Sequence, residues 1–454
     1  MKRYLFLLAA VVLSGAMLSC SSSEEESVDL GEAKTVVNML SEAQPIQLTE
    51  AQRVFANDNN QFTLNFLKTV NEVDKSGKSF IYSPLSITYV LGMVNDAAVG
   101  ETEKELEQTL GFHEGGIQAV NDYCKKLIDG LPKVDDKVTL NIANAIFVNK
   151  DYTLKPQFEQ DTQTYYDAKA ESLDFSSPQT LGHINGWCNE KTKGMIPTIL
   201  DEVNPEMMSY LLNAIYFKAD WASKFDQKST KEETFHPEYN YLLDINDNYS
   251  IKLPLMHQNV LIRYLKNDIY AAVEIPYGNG YWNMTIMLPE EGKTTYSIIN
   301  YLADMGWAKD YIIDNKQYDV FTPMNGARPY EVDLKLPRFE TSSDTNELEI
   351  KDGLVGLMQK MGIKLAFDSY FAQIPNMCDV PVYINMMRQK AKIKVNEEGS
   401  EAAAVTVAGM MGMTSIGEPV EYPKATFHAN RPFVYVISEA SSGVILFVGK
   451  FTGA

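Results

Sequence analysis

Asn213-Ala214-Ile215-Tyr216-Phe217-Lys218-Ala219-Asp220-Trp221 continues an apolar run that begins at Leu211, and residues 211–217 predict a long buried strand. On its N-terminal side, residues 138–148 form a second such run, and Ser177-Pro178 opens a helix that carries Ile184 and Trp187. Earlier still, Thr49 and Gln52 have capping-box spacing. Val54, Phe55, Phe62, Phe66, Leu67 and Val70 then recur at helical intervals, which predicts a long first helix. Ser83-Pro84 supplies an N-cap and a first-turn proline to a helix over residues 85–97, and another helix over 101–110 stops at Gly111. C-terminal to the opening run the pattern turns strand-rich, with runs at 273–276, 284–288, 330–336, 391–395, 433–437 and 444–451. No internal repeat and no second linker interrupts it. The pattern is one large mixed α+β domain, helix-rich first and sheet-rich later.

Composition narrows the function. The chain has 454 residues, 45% of them hydrophobic and 22% charged, which is the balance of a globular protein. Forty basic against sixty acidic side chains leave a formal charge of −20, a surface that repels phosphate backbones, so nucleic acid is not an expected partner. Cys20, Cys124, Cys188 and Cys378 lie far apart without a C-x-x-C pair, and the five histidines are scattered without H-E-x-x-H. Neither a zinc site nor a disulfide framework is suggested. A G-x-S-x-G elbow, a phosphate-binding G-x-x-x-x-G-K-[ST] loop and a G-x-G-x-x-G after a strand are all missing, so an enzyme is not expected and no cofactor is implied.

The first twenty residues read as an export signal: Lys2 and Arg3 are basic, residues 4–18 are apolar apart from Ser14 and Gly15, and Ser19 precedes Cys20. That stretch is short for a spanning helix, which needs about 20 apolar residues. The cysteine at this junction resembles the lipobox of bacterial lipoproteins, with Cys20 the lipidated residue; an ordinary secretory signal is the other reading. Ser21-Ser22-Ser23-Glu24-Glu25-Glu26 resembles the Ser-acidic tag that sends such proteins to the outer surface of some Gram-negative bacteria. The expected divisions are therefore a signal peptide at 1–19, a flexible lipidated linker at 20–48 and a folded domain at 49–454. The expected location is extracytoplasmic, on the bacterial outer membrane and surface-exposed.

Residues 396–413, NEEGSEAAAVTVAGMMGM, carry the most information about function. In an extended chain Ser400, Ala402, Ala404, Thr406 and Ala408 share one face, which is uniformly small, and Glu401, Ala403, Val405 and Val407 share the other. No proline occurs from Ser400 to Glu418, so nothing forbids hydrogen bonding on both edges as a central strand. By itself the stretch reads equally as a surface loop or an Ala-rich helix end.

Several blocks taken in order resemble the serpin family. They are Ser79-Phe80-Ile81-Tyr82-Ser83-Pro84-Leu85-Ser86-Ile87, Asn144-Ala145-Ile146-Phe147-Val148, Ile184-Asn185-Gly186-Trp187 with Thr192-Lys193-Gly194-Met195-Ile196, the opening Asn213 to Trp221 string, Leu336-Pro337-Arg338-Phe339, and Phe427-His428-Ala429-Asn430-Arg431-Pro432-Phe433 with Ile445-Leu446-Phe447-Val448-Gly449. The resemblance implies about nine helices around three β-sheets, with an exposed reactive-centre loop that proteases attack as substrate. It implies suicide inhibition of a serine protease, expected as the partner of a monomer. The cleaved loop enters the main sheet as a new strand and carries the acyl-linked protease with it.

Residue by residue, the resemblance implies a loop hinge at Glu397, Gly399, Ser400, Glu401, Ala402, Ala403, Ala404 and Thr406, with the small side chains that insertion needs. It implies a breach, where the loop enters the sheet, at Trp221, Arg338 and Glu397. A hydrogen-bonded shutter beneath the sheet falls at Ser83, Ser86 and Asn213, with Gln389 in place of the usual histidine; an amide both donates and accepts, so the network survives without titrating. Family spacing places the reactive bond at Met413–Thr414, with Met410, Met411 and Ser415 as alternatives. Methionine there suits elastase-, chymotrypsin- or subtilisin-like pockets. A non-inhibitory binding or scaffold serpin is the alternative function.

Overall fold

The computed structural model describes residues 44–237, 250–307, 328–400 and 421–453. Helix α1 (Glu50–Val73) starts on the expected capping box: the Gln52 amide N–H donates to Thr49 Oγ1 at 3.2 Å, and the Thr49 N–H to Gln52 Oε1 at 3.1 Å. The chain joins the body before that cap. Ile46 and Leu48 are buried, and the Ile46 N–H donates to Ser441 Oγ at 2.8 Å. Ile46 packs where Gly130 has no side chain, so the ordered body extends N-terminal to the expected start at 49.

Helices α2 (Pro84–Ala97), α3 (Gly100–Leu110), α4 (Gly116–Gly130) and α5 (Pro156–Tyr166) follow, then α6 (Thr180–Lys191), α7 (Thr295–Met305) and α8 (Gly353–Met361). Gly111 ends α3 at φ +86°, and a Cβ there would sit 2.6 Å from the Asp58 carbonyl carbon, so glycine is required twice over. Helix α6 begins two residues after Pro178, because Asp174 first folds Ser176 and Ser177 into a turn, accepting the Ser176 N–H at 3.0 Å.

The strands are β1 (Phe80–Tyr82), β2 (Thr139–Asn149), β3 (Lys169–Leu173), β4 (Ser209–Asp220), β5 (Lys231–Phe235), β6 (Ile251–Lys266), β7 (Tyr270–Pro276) and β8 (Trp282–Pro289), then β9 (Arg328–Pro337), β10 (Phe339–Asp344), β11 (Met387–Val395), β12 (Gly399–Ser400), β13 (Lys424–His428), β14 (Phe433–Glu439) and β15 (Ile445–Phe451). One sheet runs β10-β11-β12-β4-β2-β3. The other runs β1-β15-β14-β8-β7-β6-β9-β13, with β5 also on β6. Strand β6 is 16 residues long, and its end pairs with β7 while its middle pairs with β9. Two of the three expected sheets are thus one hydrogen-bonded ladder that turns about β6.

Strand β4 is buried on both faces, which is why it reads as a continuous apolar run. Leu211, Ile215 and Phe217 enter the large core behind the six-stranded sheet. Tyr210, Leu212 and Ala214 enter a smaller core in front, closed by Ile184 and Trp187 of α6 with Ala143, Ala145 and Phe147 of β2. Each large side chain so buried stabilises the fold by about 1.5–3 kcal/mol. The six-stranded sheet is therefore packed on both faces at β4.

Candidate functional site

Strands β4 and β11 run parallel and pair from Met387↔Leu211 to Ala391↔Ile215. Beyond Ala391 they part, and the chain itself fills the gap. After β11 it turns at Asn396, whose N–H donates to the Gly399 carbonyl at 2.9 Å, and re-enters as β12, with Ser400 opposite both Val395 and Ala219. A Cβ on Gly399, at φ +155°, would lie 2.1 Å from the Ala219 carbonyl oxygen, so only glycine fits this entry. Ser400 is fully buried, its hydroxyl 2.7 Å from that of Tyr277.

The turn is held by charge and by an aromatic stack. Arg338, carried by the link between β9 and β10, forms a salt bridge with Glu397 through its terminal nitrogen, and Nε donates to the other carboxylate oxygen at 3.2 Å. Thr230 donates its hydroxyl to Glu397 Oε1 at 2.6 Å. Glu397 is almost wholly buried. Burial alone would raise its carboxyl, but the hydrogen bonds from Arg338 and Thr230 outweigh it and hold Glu397 below the usual carboxylate range. Trp221 lies on Tyr277, ring centroids 4.3 Å apart, and donates its indole N–H to the Asn396 carbonyl at 2.8 Å. Lys224 bridges Asp220 at 2.9 Å and Glu398 at 2.7 Å.

Farther along the same seam, the contacts on its back face are neutral. Gln389 is fully buried and faces Asn213 across the β11–β4 register, as Asn213 faces Asn144 across β4–β2. Gln389 Nε2 donates to Asn213 Oδ1 at 2.7 Å and to the Ser83 carbonyl at 2.9 Å, while Oε1 accepts the Ser83 N–H at 3.0 Å. Asn213 Nδ2 donates to Asn144 Oδ1 at 2.8 Å. Ser83 does not cap α2 with its side chain; its hydroxyl donates instead to the Leu446 carbonyl at 2.7 Å, tying the helix start to β15. A strand passing between β4 and β11 at this level must break the Gln389–Asn213 bond.

Of the residues singled out from sequence, Trp221, Arg338, Glu397, Gly399 and Ser400 meet at the upper end of the seam, and Ser83, Asn213 and Gln389 meet lower down. Ser86 is buried beside the second group but does not join it: its hydroxyl has no partner among the described residues. Cys20, Glu401, Ala402, Ala403, Ala404, Thr406, Met410, Met411, Met413, Thr414 and Ser415 lie outside the described residues. Sequence reasoning missed Thr230, Lys224, Tyr277 and the role of Asn144. For Asn144 a signal was present: Asn-Ala-Ile occurs in both long strands, at 144–146 and 213–215, and each asparagine is a polar interruption of an apolar run.

The model of the family described as "Serpin (serine protease inhibitor)" matches residues 57–453. Serpin B6 of Bos taurus is 30% identical over 405 residues, covering 87% of this chain and 97% of its own. The leukocyte elastase inhibitor of Homo sapiens is 29% identical over 399 residues, with 87% and 98% covered. Among solved structures, the thermophilic serpin Tengpin in its native state superposes with a TM-score of 0.73 at 25% identity, covering 92% of this chain and 99% of its own. With the family matched over nearly the whole described body, and the strand order and seam as found, this chain belongs to the serpin family.

Proposed function

We propose that the chain inhibits serine proteases by covalent trapping. The protease serine attacks the carbonyl of Met413, the peptide bond to Thr414 breaks, and Thr414 leaves as a free amine while Met413 stays esterified. The freed loop then continues the insertion that β12 has begun, between β4 and β11. Roughly sixteen residues at about 3.3 Å each carry the tethered protease on the order of 50 Å before water reaches the ester. The observation that supports this reading most is the hinge: Gly399 and Ser400 are hydrogen-bonded between β11 and β4, at the head of a seam that a short stretch of ladder and side-chain bonds hold together. Elastase-, chymotrypsin- and subtilisin-like proteases are the proposed targets, from the methionine at 413. Cys20 is proposed to anchor the chain through lipid to the outer face of a bacterial outer membrane.

The test mixes the mature chain carrying Cys20→Ser with neutrophil elastase, chymotrypsin, subtilisin and trypsin, followed by denaturing gels and intact mass. A denaturation-stable adduct with a released peptide beginning at Thr414 is expected from the first three. Cleavage without adduct from all of them would favour the non-inhibitory alternative.

A further inference from the structure

Successive side chains of β11 point to opposite faces of the sheet, and residues 388 and 389 use both. Gln389 reaches the back, where Ser83 and Asn213 hold it. Arg388 reaches the front and is buried at 6% exposure. Its Nε donates to Asp344 Oδ1 on β10 at 2.9 Å, and its Nη2 bonds both Asp344 Oδ2 and, at 3.0 Å, Asp201 Oδ2. Asp201 does not belong to the β10–β11 side of the seam. It follows Leu200, whose N–H and carbonyl are both bound by the Asn185 side chain of α6, at 2.9 and 2.8 Å. Helix α6 packs on β2 and β4 through Ile184, Trp187 and their partners in the front core. The Arg388–Asp201 contact therefore crosses the line between β4 and β11, at the level where Arg388 pairs with Leu212.

We infer that Arg388 and Asp201 form a second latch, on the face opposite the Gln389–Asn213 bond, which β11 must release before a loop strand can pass. The inference rests on the insertion reading above and names a residue that sets its rate. Admitting a strand moves β11 from β4 by about 4.8 Å, the spacing of neighbouring strands. Asp344 travels with β11, because β10 and β11 are paired from Phe339↔Val395 to Asp344↔Lys390. Arg388 thus keeps Asp344 and gives up Asp201. Asp201 is three-quarters exposed, so what is lost is a screened ion pair, and the latch slows entry without preventing it. Asp201 is a positioning residue: it touches neither protease nor loop.

The experiment adds a synthetic peptide of residues 400–413 to the intact mature chain and follows its annealing on native gels at low and high salt. Asp201→Asn is expected to take up peptide about two- to fivefold faster than the natural sequence at low salt, the range that an exposed ion pair supports. Raising salt should speed the natural sequence toward the variant and leave the variant nearly unchanged, and Asp201→Glu should keep the natural rate. Equal rates with equal salt dependence would overturn the latch. Failure of every form to take up peptide, with no adduct in the protease panel, would overturn the insertion reading itself. Uptake by all forms at one rate would leave that reading standing and sink only the role of Asp201. Arg388 is left unsubstituted because its loss would also remove the main partner of the buried Asp344.

Discussion

The two ends of the β4–β11 seam are built from different chemistry. At the breach the strands are already apart, and Glu397, Arg338, Lys224 and Glu398 hold the turn by charge. At the shutter the strands are paired, and on the back face Gln389, Asn213, Asn144 and Ser83 hold them by uncharged hydrogen bonds in a dry interior, with the Arg388–Asp201 contact on the front. Glu397 is buried, but Arg338, Lys224 and Glu398 reach water and tolerate rearrangement, since solvent replaces a lost partner. A buried amide cannot be abandoned so cheaply, because the group left behind is fully desolvated. On the proposed mechanism, the contrast would put the entry point of the loop at one end and the main barrier at the other.

The largest expected effect lies at the shutter. Gln389→Ala leaves the Asn213 side-chain carbonyl and the Ser83 N–H without their partners, the Ser83 carbonyl keeping only the Ile87 N–H at 3.2 Å, and should lower the stability of the intact chain by about 2–4 kcal/mol, measured by urea unfolding. A loss under about 1 kcal/mol would mean that the amides are not the barrier. Gly399→Ala comes next. With a Cβ 2.1 Å from the Ala219 carbonyl, β12 cannot stay in the sheet, and the cost should be about 1–3 kcal/mol, with a change in Trp221 fluorescence as the Asn396 turn shifts. Retained fluorescence and stability would argue that the hinge enters by other contacts.

Glu397→Gln should cost about 1–2 kcal/mol, less than at the shutter because Arg338 is half exposed and water can solvate it. Glu397 also sets a pH difference between the two ends. Its folded value is lowered, so its contribution is full above the ordinary glutamate value of 4.5 and is lost as pH falls through the lowered folded value. Hydrogen exchange of the β12 amides should therefore accelerate below about pH 4.5 in the natural sequence relative to Glu397→Gln, which lacks this component. Between these two proteins the Gln389 amide should show no such divergence, because no member of its network titrates. The smallest effect is Lys224→Ala. Its two ion pairs are partly exposed, and thermal unfolding should show a loss of no more than about 1 kcal/mol, reduced further by salt.

Much of this was legible in the chain itself. The apolar runs at 138–148 and 211–217 predicted long strands, and they are β2 and β4, with β4 and the second half of β2 buried on both faces. The small face from Ser400 onward and the glycine before it marked where a strand could enter, and the family blocks supplied the order of the rest. Local signals failed where tertiary contacts compete with them. Ser83 has the residue type and position of an N-cap, yet its hydroxyl is taken by Leu446, 363 residues away. Ile46 and Leu48 sit in a polar stretch that reads as linker, yet both are buried, Ile46 in the space beside Gly130. The sequence by itself determined the long apolar strands at 138–148 and 211–217, that a run of small side chains follows Gly399, and that position 389 carries an amide. Only the tertiary structure decided that Gln389 bridges Ser83 and Asn213, that Glu397 is buried on Arg338, and that Arg388 reaches across to Asp201. Periodicity and residue size act within a few neighbouring residues, whereas these bonds join positions more than 50 apart and exist only once the strands are in register.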